Sequence, residues 1–467
     1  MDLAPQALDP ADLPPAAHAP PDAQAVDRTA AFARTSPRQK AALLRATLPH
    51  LRAVAPEMVT LACRAAGVDP GGPLAGAAWL SGPVALLASV RSFAEALEDI
   101  AASGRPALPA AHLRGRLGGR VVARLAARSY AERSLHGDAE AVAVFAEGVE
   151  PEDVIAGQAT FYRQADPAGG VAQLNDGGGP VSATPIRALA ALFEDGKVAE
   201  VSASAARPWL GPLLERAFAP LVMAGWLRVV PAGEAPGAPS AGEPGGPVIL
   251  LPAYYALDEL QFVARRLAAE IAAGAAFDLA APRLLVMGGH WAQRALFLEH
   301  LRRALDGLPS PWQLAPDLAP DADLPARTIG IVTAGGDDPL EVLEAAVDRC
   351  NARPEGTAAE IVAHVIHEED PEIAAALGRA AVRLHHGAVG INQWPAVLAF
   401  RGDASWRGHP GARMLARVDK AVVHGPLRTR RLPVYFPDNR AAATMGARLC
   451  AFQAAPSLGR LLRGARN

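Results

Sequence analysis

Leu260, Val263, Leu267 and Ile271 recur at steps of three and four residues and mark the apolar face of an amphipathic helix. The small-residue run Gly274-Ala275-Ala276 ends that helix. Phe277-Asp278-Leu279-Ala280-Ala281-Pro282-Arg283 then leads into Leu284-Leu285-Val286-Met287, a short apolar run that reads as a buried strand. His290-Trp291-Ala292-Gln293-Arg294 follows and opens a second helix. A helix with one apolar face, joined by a short loop to a buried strand, packs as one layer upon another.

The rest of the chain is large enough to support such a layered core. It has 467 residues, half of them hydrophobic and a fifth charged, so it is globular rather than disordered. Basic and acidic side chains number 45 and 48, for a net charge of -3, which leaves no global signal for nucleic acid or membrane. Lys40, Lys197 and Lys420 are the only lysines, so a lysine-dependent site has three candidates. Cys63, Cys350 and Cys450 are too few and too scattered for a disulfide framework or a zinc site, and no metal is expected. No segment reads as an export signal or a bilayer span, so a cytoplasmic protein is expected, with a flexible leader before about Ala25.

Ser36-Pro37 makes a helix start, a capping hydroxyl followed by proline at the first helical position. Leu44, Leu48 and Leu51 share a face, while Pro49 and Pro56 predict a kink or break. Trp79-Leu80-Ser81-Gly82-Pro83 reads as a turn-rich joint before a helix carrying Leu86, Val90, Phe93, Leu97 and Ile100. Leu113 to Leu125 reads as a hairpin turning at Leu117-Gly118-Gly119. Ala141 to Phe145 is a strand and Pro151 to Tyr162 a helix. Val171 to Leu174, Asn175-Asp176-Gly177-Gly178-Gly179-Pro180 and Pro185 to Phe193 form a strand, a Gly-rich turn and a helix, the logic of a nucleotide-binding unit. The spacing is not G-x-G-x-x-G, and no acidic residue closes the next strand, so the turn by itself reads as an ordinary connection. Pro231 to Pro247 is a Pro/Gly/Ala linker. Farther on, Ile329 to Thr333 is a strand, Pro339 to Arg349 a helix, and Thr357 to Ile366 a strand. On that last strand, His364 and His367 would face opposite ways, which argues against a shared metal. The closing Arg460, Arg463 and Arg466 read as a solvated helix face.

The helix–loop–strand around Leu279 resembles the nucleophile segment of the aldehyde dehydrogenase superfamily. Leu210-Gly211-Pro212-Leu213-Leu214-Glu215-Arg216-Ala217-Phe218-Ala219-Pro220-Leu221 with Ala224-Gly225 resembles the exit of its cofactor domain. Leu384 to Pro395, Trp406 to Gly411 and Pro433 to Phe436 continue the likeness, which spans about Arg38 to Leu462. The resemblance implies an α/β fold: a Rossmann-like cofactor domain at 36–230 with the hairpin at 113–125, the linker at 231–247, a catalytic-type domain at 248–425 and a closing segment at 426–467. It implies NAD or NADP as cofactor, and a homo-oligomer or a hetero-oligomer with an active homologue, through the hairpin.

Residue by residue, the resemblance places the catalytic cysteine at Leu279 and the oxyanion-stabilising asparagine at Gly179. The lysine that contacts the cofactor ribose falls at Ser202, with Gly177 and Gly178 in the phosphate turn. Asn392 and Trp394 fall on the substrate side. Glu243 of Glu243-Pro244-Gly245-Gly246 aligns with the general-base motif, although a Pro/Gly linker produces the same string by composition. A strand and helix that would carry a Thr-Gly-Ser turn are absent between Pro231 and Pro247. Leucine has no nucleophilic atom, and glycine at 179 removes a donor whose loss costs on the order of 10²–10³ in turnover. The expectation is therefore a degenerate homologue serving as subunit partner or binding scaffold. The alternatives are an NAD(P)-dependent aldehyde oxidoreductase with displaced catalytic groups, or a nucleotide or acyl-ligand binder.

Overall fold

The computed structural model describes residues 25–457, apart from 73, 126–138, 178, 231–244, 274–280, 309–311, 317–323, 326, 353–357, 402–411 and 426–441. The expectations for the leader, Phe277 to Ala280, Glu243, Gly178, Trp406 to Gly411, Pro433 to Phe436 and the terminal arginines lie outside the described residues.

Helix α1 (Ala25–Arg34) precedes α2 (Pro37–Ala65), which starts at a full capping box: Gln39 N–H donates to the Ser36 hydroxyl and Ser36 N–H to the Gln39 side chain. Pro49 and Pro56 do not break α2, contrary to expectation. Leu48, Leu51, Val54, Ala55, Met58 and Val59 are buried on this helix, and that burial offsets the two lost hydrogen bonds. The predicted joint at Trp79 to Pro83 is also helical. α3 (Ala75–Ser103) runs through it by widening to a π-turn at Leu80–Val84, which accommodates Pro83. By length and composition α3 could cross a membrane, but 89% of its apolar window is buried in the protein core.

Strands β1 (Arg116–Leu117) and β2 (Arg120–Arg124) form the predicted hairpin, with Gly118 and Gly119 both at positive φ. After β3 (Glu140–Phe145) and α4 (Pro151–Gly157) comes a parallel unit. It comprises β4 (Gly170–Asn175), α5 (Ala183–Phe193), β5 (Lys197–Ser202), α6 (Leu210–Ala217), α7 (Ala219–Met223) and β6 (Leu227–Val230). Its three strands form a separate sheet in the order β4-β5-β6.

The second half adds β7 (Pro247–Leu250), α8 (Leu257–Ala273), β8 (Leu284–Gly288), α9 (Arg294–Asp306), β9 (Gln313–Ala315), β10 (Thr328–Ala334) and α10 (Pro339–Asn351). It closes with β11 (Ala358–Val362), α11 (Val365–Glu369), α12 (Pro371–Arg383), β12 (Ala388–Ile391), β13 (Val418–His424) and α13 (Ala442–Ala454). A ten-stranded sheet runs β1-β2-β3-β13-β12-β11-β7-β8-β10-β9. From β13 to β9 every pairing is parallel, and β3 joins β13 antiparallel, so the hairpin completes its own chain's sheet. The fold is α/β, with the parallel strands buried and helices packed over them.

The expected strand from Thr357 to Ile366 stops at Val362. His364 caps α11: its Nδ1 accepts from Ile366 N–H, and His364 N–H donates to His367 Nδ1. The two rings therefore lie 6.4 Å apart instead of on opposite faces. Side-chain capping chemistry outweighs the apolar pattern at this point.

Candidate functional site

Helix α8 carries its apolar stripe against the sheet over Leu257–Ala273, and the described chain resumes at Ala281. Ala272 and Ala273 line a cavity of about 260 Å³, together with Cys63 near the end of α2, Ser81 on α3, Gly179 and Val181 between β4 and α5, and Arg207 and Trp209 after β5. Gly179 thus lies in one cavity with Ala272 and Ala273, while Leu279 itself is outside the described residues.

Glu243 itself is outside the described residues, but the glycines beside it carry positional information. A Cβ on Gly245 would lie 1.9 Å from the Ala281 carbonyl oxygen, and one on Gly246 would lie 1.6 Å from that of Ala358. Only glycine permits this approach, so the Gly-Gly pair is held between Ala358 at the start of β11 and Ala281. Trp394 is buried and shares a narrow gap with Gly246, Pro247 and Pro282. Asn392 sits elsewhere. Its Oδ1 accepts from Ala363 N–H at 2.7 Å and its Nδ2 donates to Glu368 at 2.8 Å, beyond the carboxyl end of β12. Ala281 to Arg283 precede the amino end of the parallel strand β8, so Asn392 stands at the opposite edge of the sheet from them. At that edge, between β7 and β11, where doubly wound sheets commonly bind ligands, Tyr255, Glu259, His364 and His367 pack together.

The turn after β4 is organised by an ion pair. Asp176 is almost fully buried, and Arg207 Nε donates to its Oδ2 at 2.9 Å while Arg207 Nη2 donates to its Oδ1. Arg207 Nη1 donates to the Gly179 carbonyl at 2.5 Å. Asp176 N–H donates to the Ser202 carbonyl at 2.9 Å, so Ser202 ends its strand as part of this turn and does not line the cavity. Gly177 lies between Asp176 and Gly179 in the same turn.

A dinucleotide pyrophosphate needs open N–H groups at the start of the following helix, and a free cation there would add to its hold. Here the cation is committed to Asp176, and Val181, Ser182, Thr184 and Pro185 bury the first turn of α5. Lys197 pairs with Asp195 at the far, amino end of β5. The residues present do not fit the pyrophosphate of NAD or NADP.

Nucleophilic chemistry fares no better. Cys63 reaches the cavity, but burial pushes its thiol up to about 11, so it is protonated at neutral pH. Cys350 and Cys450 are buried outside the cavity and are pushed up by the same cause. His386 is buried beside Lys420 and held down to about 4, chiefly by desolvation, which suits packing rather than proton transfer at neutral pH. Among the described residues, no group of three or more His, Cys, Asp and Glu could hold a metal ion. Sequence reasoning missed Asp176, Arg207 and Trp209. The signal available was an acidic residue inside the Gly-rich turn and the Arg207-Pro208-Trp209 run after the second strand.

No family model matches the chain, and no curated protein matches it. Solved structures similar to it include aldehyde dehydrogenases. A putative methylmalonate-semialdehyde dehydrogenase from Sinorhizobium meliloti, complexed with NAD, is 12% identical over 85% of this chain and 88% of its own, with a TM-score of 0.48. Aldehyde dehydrogenase 21 from Physcomitrella patens, in complex with the product succinate, is 11% identical over 87% and 89%, with a TM-score of 0.48. The aldehyde dehydrogenase KauB from Pseudomonas aeruginosa is 15% identical over 86% and 88%, with a TM-score of 0.46.

Proposed function

We propose that this chain is an aldehyde-dehydrogenase-like protein that has lost the dehydrogenase reaction and serves as a small-molecule-binding scaffold. In that reading the β4–β6 unit is the former cofactor domain and the unit from β7 onward the former catalytic domain. The reaction needs a thiolate, an oxyanion donor, a hydride acceptor and a base. The observation that carries the reading is the Asp176–Arg207 pair, a buried, bidentate ion pair filling the turn where a cofactor phosphate would sit. Leucine at 279 and glycine at 179 support it independently.

Association with an active homologue, or self-association, belongs to the same proposal and is read by native mass spectrometry. A second reading, a dehydrogenase with a displaced nucleophile, is favoured by one fact: Cys63 lines the cavity. Incubating the protein with NAD or NADP and a panel of aldehydes, while following reduced cofactor by absorbance, separates the two. The scaffold reading expects no signal above a protein-free control. Turnover that disappears in Cys63→Ser would instead establish the second.

A further inference from the structure

We propose that a second copy of this chain docks on the open edge of β4, strand to strand, as an antiparallel pair about a twofold axis. This rests on the self-association included in the scaffold reading and gives it a surface. Strand β4 pairs with β5 over all six of its residues, in one unbroken register, and stands at the margin of its sheet. Directly after it, Asp176 N–H donates to the Ser202 carbonyl of β5. A strand repeats every two residues, so Leu174 and Ala172 also turn their N–H groups toward β5, and the backbone groups of Val171 and Gln173 point outward. Among the described residues no backbone hydrogen bond reaches Val171 or Gln173 from that side. Both side chains are exposed as well, Val171 to 42%.

Folded proteins guard such edges by keeping them short or by placing charge, proline or a bulge on them. The other three sheet margins are guarded in this way. Strands β1 and β9 have two and three residues, while β6 carries Arg228 and is followed in sequence by Pro231. Gly170-Val171-Ala172-Gln173-Leu174-Asn175 has no charge, no proline and no bulge, so β4 is the undefended margin.

The composition of the chain then selects the occupant. Its leader and its linker at 231–247 carry a proline at least every five residues, and proline has no N–H to give a ladder. Neither supplies an unbroken run of donors to a six-residue strand. A second β4 does, and because the strand is uncharged, no register of the antiparallel pair sets like charges opposite each other. About a twofold axis each copy offers the other the same donors and acceptors, so the contact is self-complementary. The joined sheet runs β6-β5-β4-β4-β5-β6 and ends on both sides at the guarded β6. Pairing therefore closes at two copies.

Sedimentation velocity of the full chain over a wide range of concentration tests this, with a reversible dimer expected. Val171→Lys puts an edge-guarding charge at an exposed position and should raise the dimer dissociation constant by about tenfold or more. Gln173→Pro removes an outward N–H while sparing the bonds to β5, and should act in the same direction. Met223→Lys makes the same change of charge on an 87% exposed side chain at the end of α7 and should leave the dimer intact. Circular dichroism and thermal unfolding verify that each variant is folded. A wild-type chain that stays monomeric, or that carries a different chain in place of its copy, would overturn the second copy as occupant. A dimer unchanged by Val171→Lys and Gln173→Pro, or weakened equally by Met223→Lys, would overturn the β4 edge as its surface. Reduced-cofactor formation in the aldehyde assay would overturn the loss of the reaction and leave this interface standing.

Discussion

Replacing Lys40 with Met should stabilise this protein near neutral pH and lose that benefit in alkali. Lys40 lies in the first turns of α2, fully buried, and its Nζ has no hydrogen-bond partner. Three rings surround the ammonium, with centroids at 4.2 Å (Phe32), 4.8 Å (Phe161) and 5.0 Å (Tyr162). Desolvation lowers the lysine from 10.5 to about 8, which corresponds to roughly 3 kcal/mol in favour of the neutral amine. Ring faces return part of this, about 0.5–1 kcal/mol each at ordinary strength. Methionine matches the length, has nothing to desolvate and packs well against rings. We expect Lys40→Met to gain about 1–3 kcal/mol at pH 7. The folded-state value lies below that of the unfolded chain, so between about 8 and 10.5 the unfolded chain binds more protons. Wild-type stability attributable to Lys40 therefore rises through that window, and the advantage of the variant shrinks to the difference in packing. Urea unfolding of both proteins at pH 7 and pH 10 measures it. A variant less stable than wild type at pH 7, or an advantage that does not shrink with pH, would refute the desolvation argument.

Two further perturbations probe the packing of α8 and the start of β7 against β11. Arg266, Glu270 and Glu360 form a fully buried cluster between α8 and β11, in which Arg266 bonds Glu360 and lies 3.6 Å from Glu270. Desolvation, then the neighbouring Glu360, raises Glu270 well above 4.5, so the folded protein keeps a proton that the unfolded chain releases, and stability falls as pH rises above 4.5. Glu270→Gln should flatten that slope in thermal melts between pH 5 and pH 8; an unchanged slope would show that Glu270 does not keep that proton. Gly246→Ala forces a methyl into the Ala358 carbonyl and should cost about 3 kcal/mol or more, whereas wild-type-like unfolding would mean the linker end does not pack as described.

Features set by neighbours in sequence were legible before the fold was. The Ser36 cap, the stripe of α8 and the Gly118-Gly119 turn each depend on residues within one or two helical turns or one hairpin. Local rules also misled where burial or capping overrode them, at Pro49, Pro56 and Pro83 in continuous helices and at His364, whose ring turns the chain out of β11. Of the positions the resemblance singled out, Gly179 lines the cavity, while Leu279 lies outside the described residues. What fills the site was not legible. Arg207 meets Asp176 across 31 residues, and Lys40 meets Phe161 across more than a hundred. Such pairings leave no periodic trace, because only the tertiary fold brings the partners together.

The ends of the ten-stranded sheet have a consequence for association. Its outermost strands are β1, with two residues, and β9, with three. A second copy docking edge to edge would gain a ladder of two or three residues, too short to repay the freedom lost on association. This sheet is blunt at both margins, which guards it against fibrous growth and against domain-to-domain strand addition. Among the described residues, an assembly that used this sheet would be built from its faces and the helices over them, whereas the six-residue β4 at the margin of the three-stranded sheet offers a longer edge.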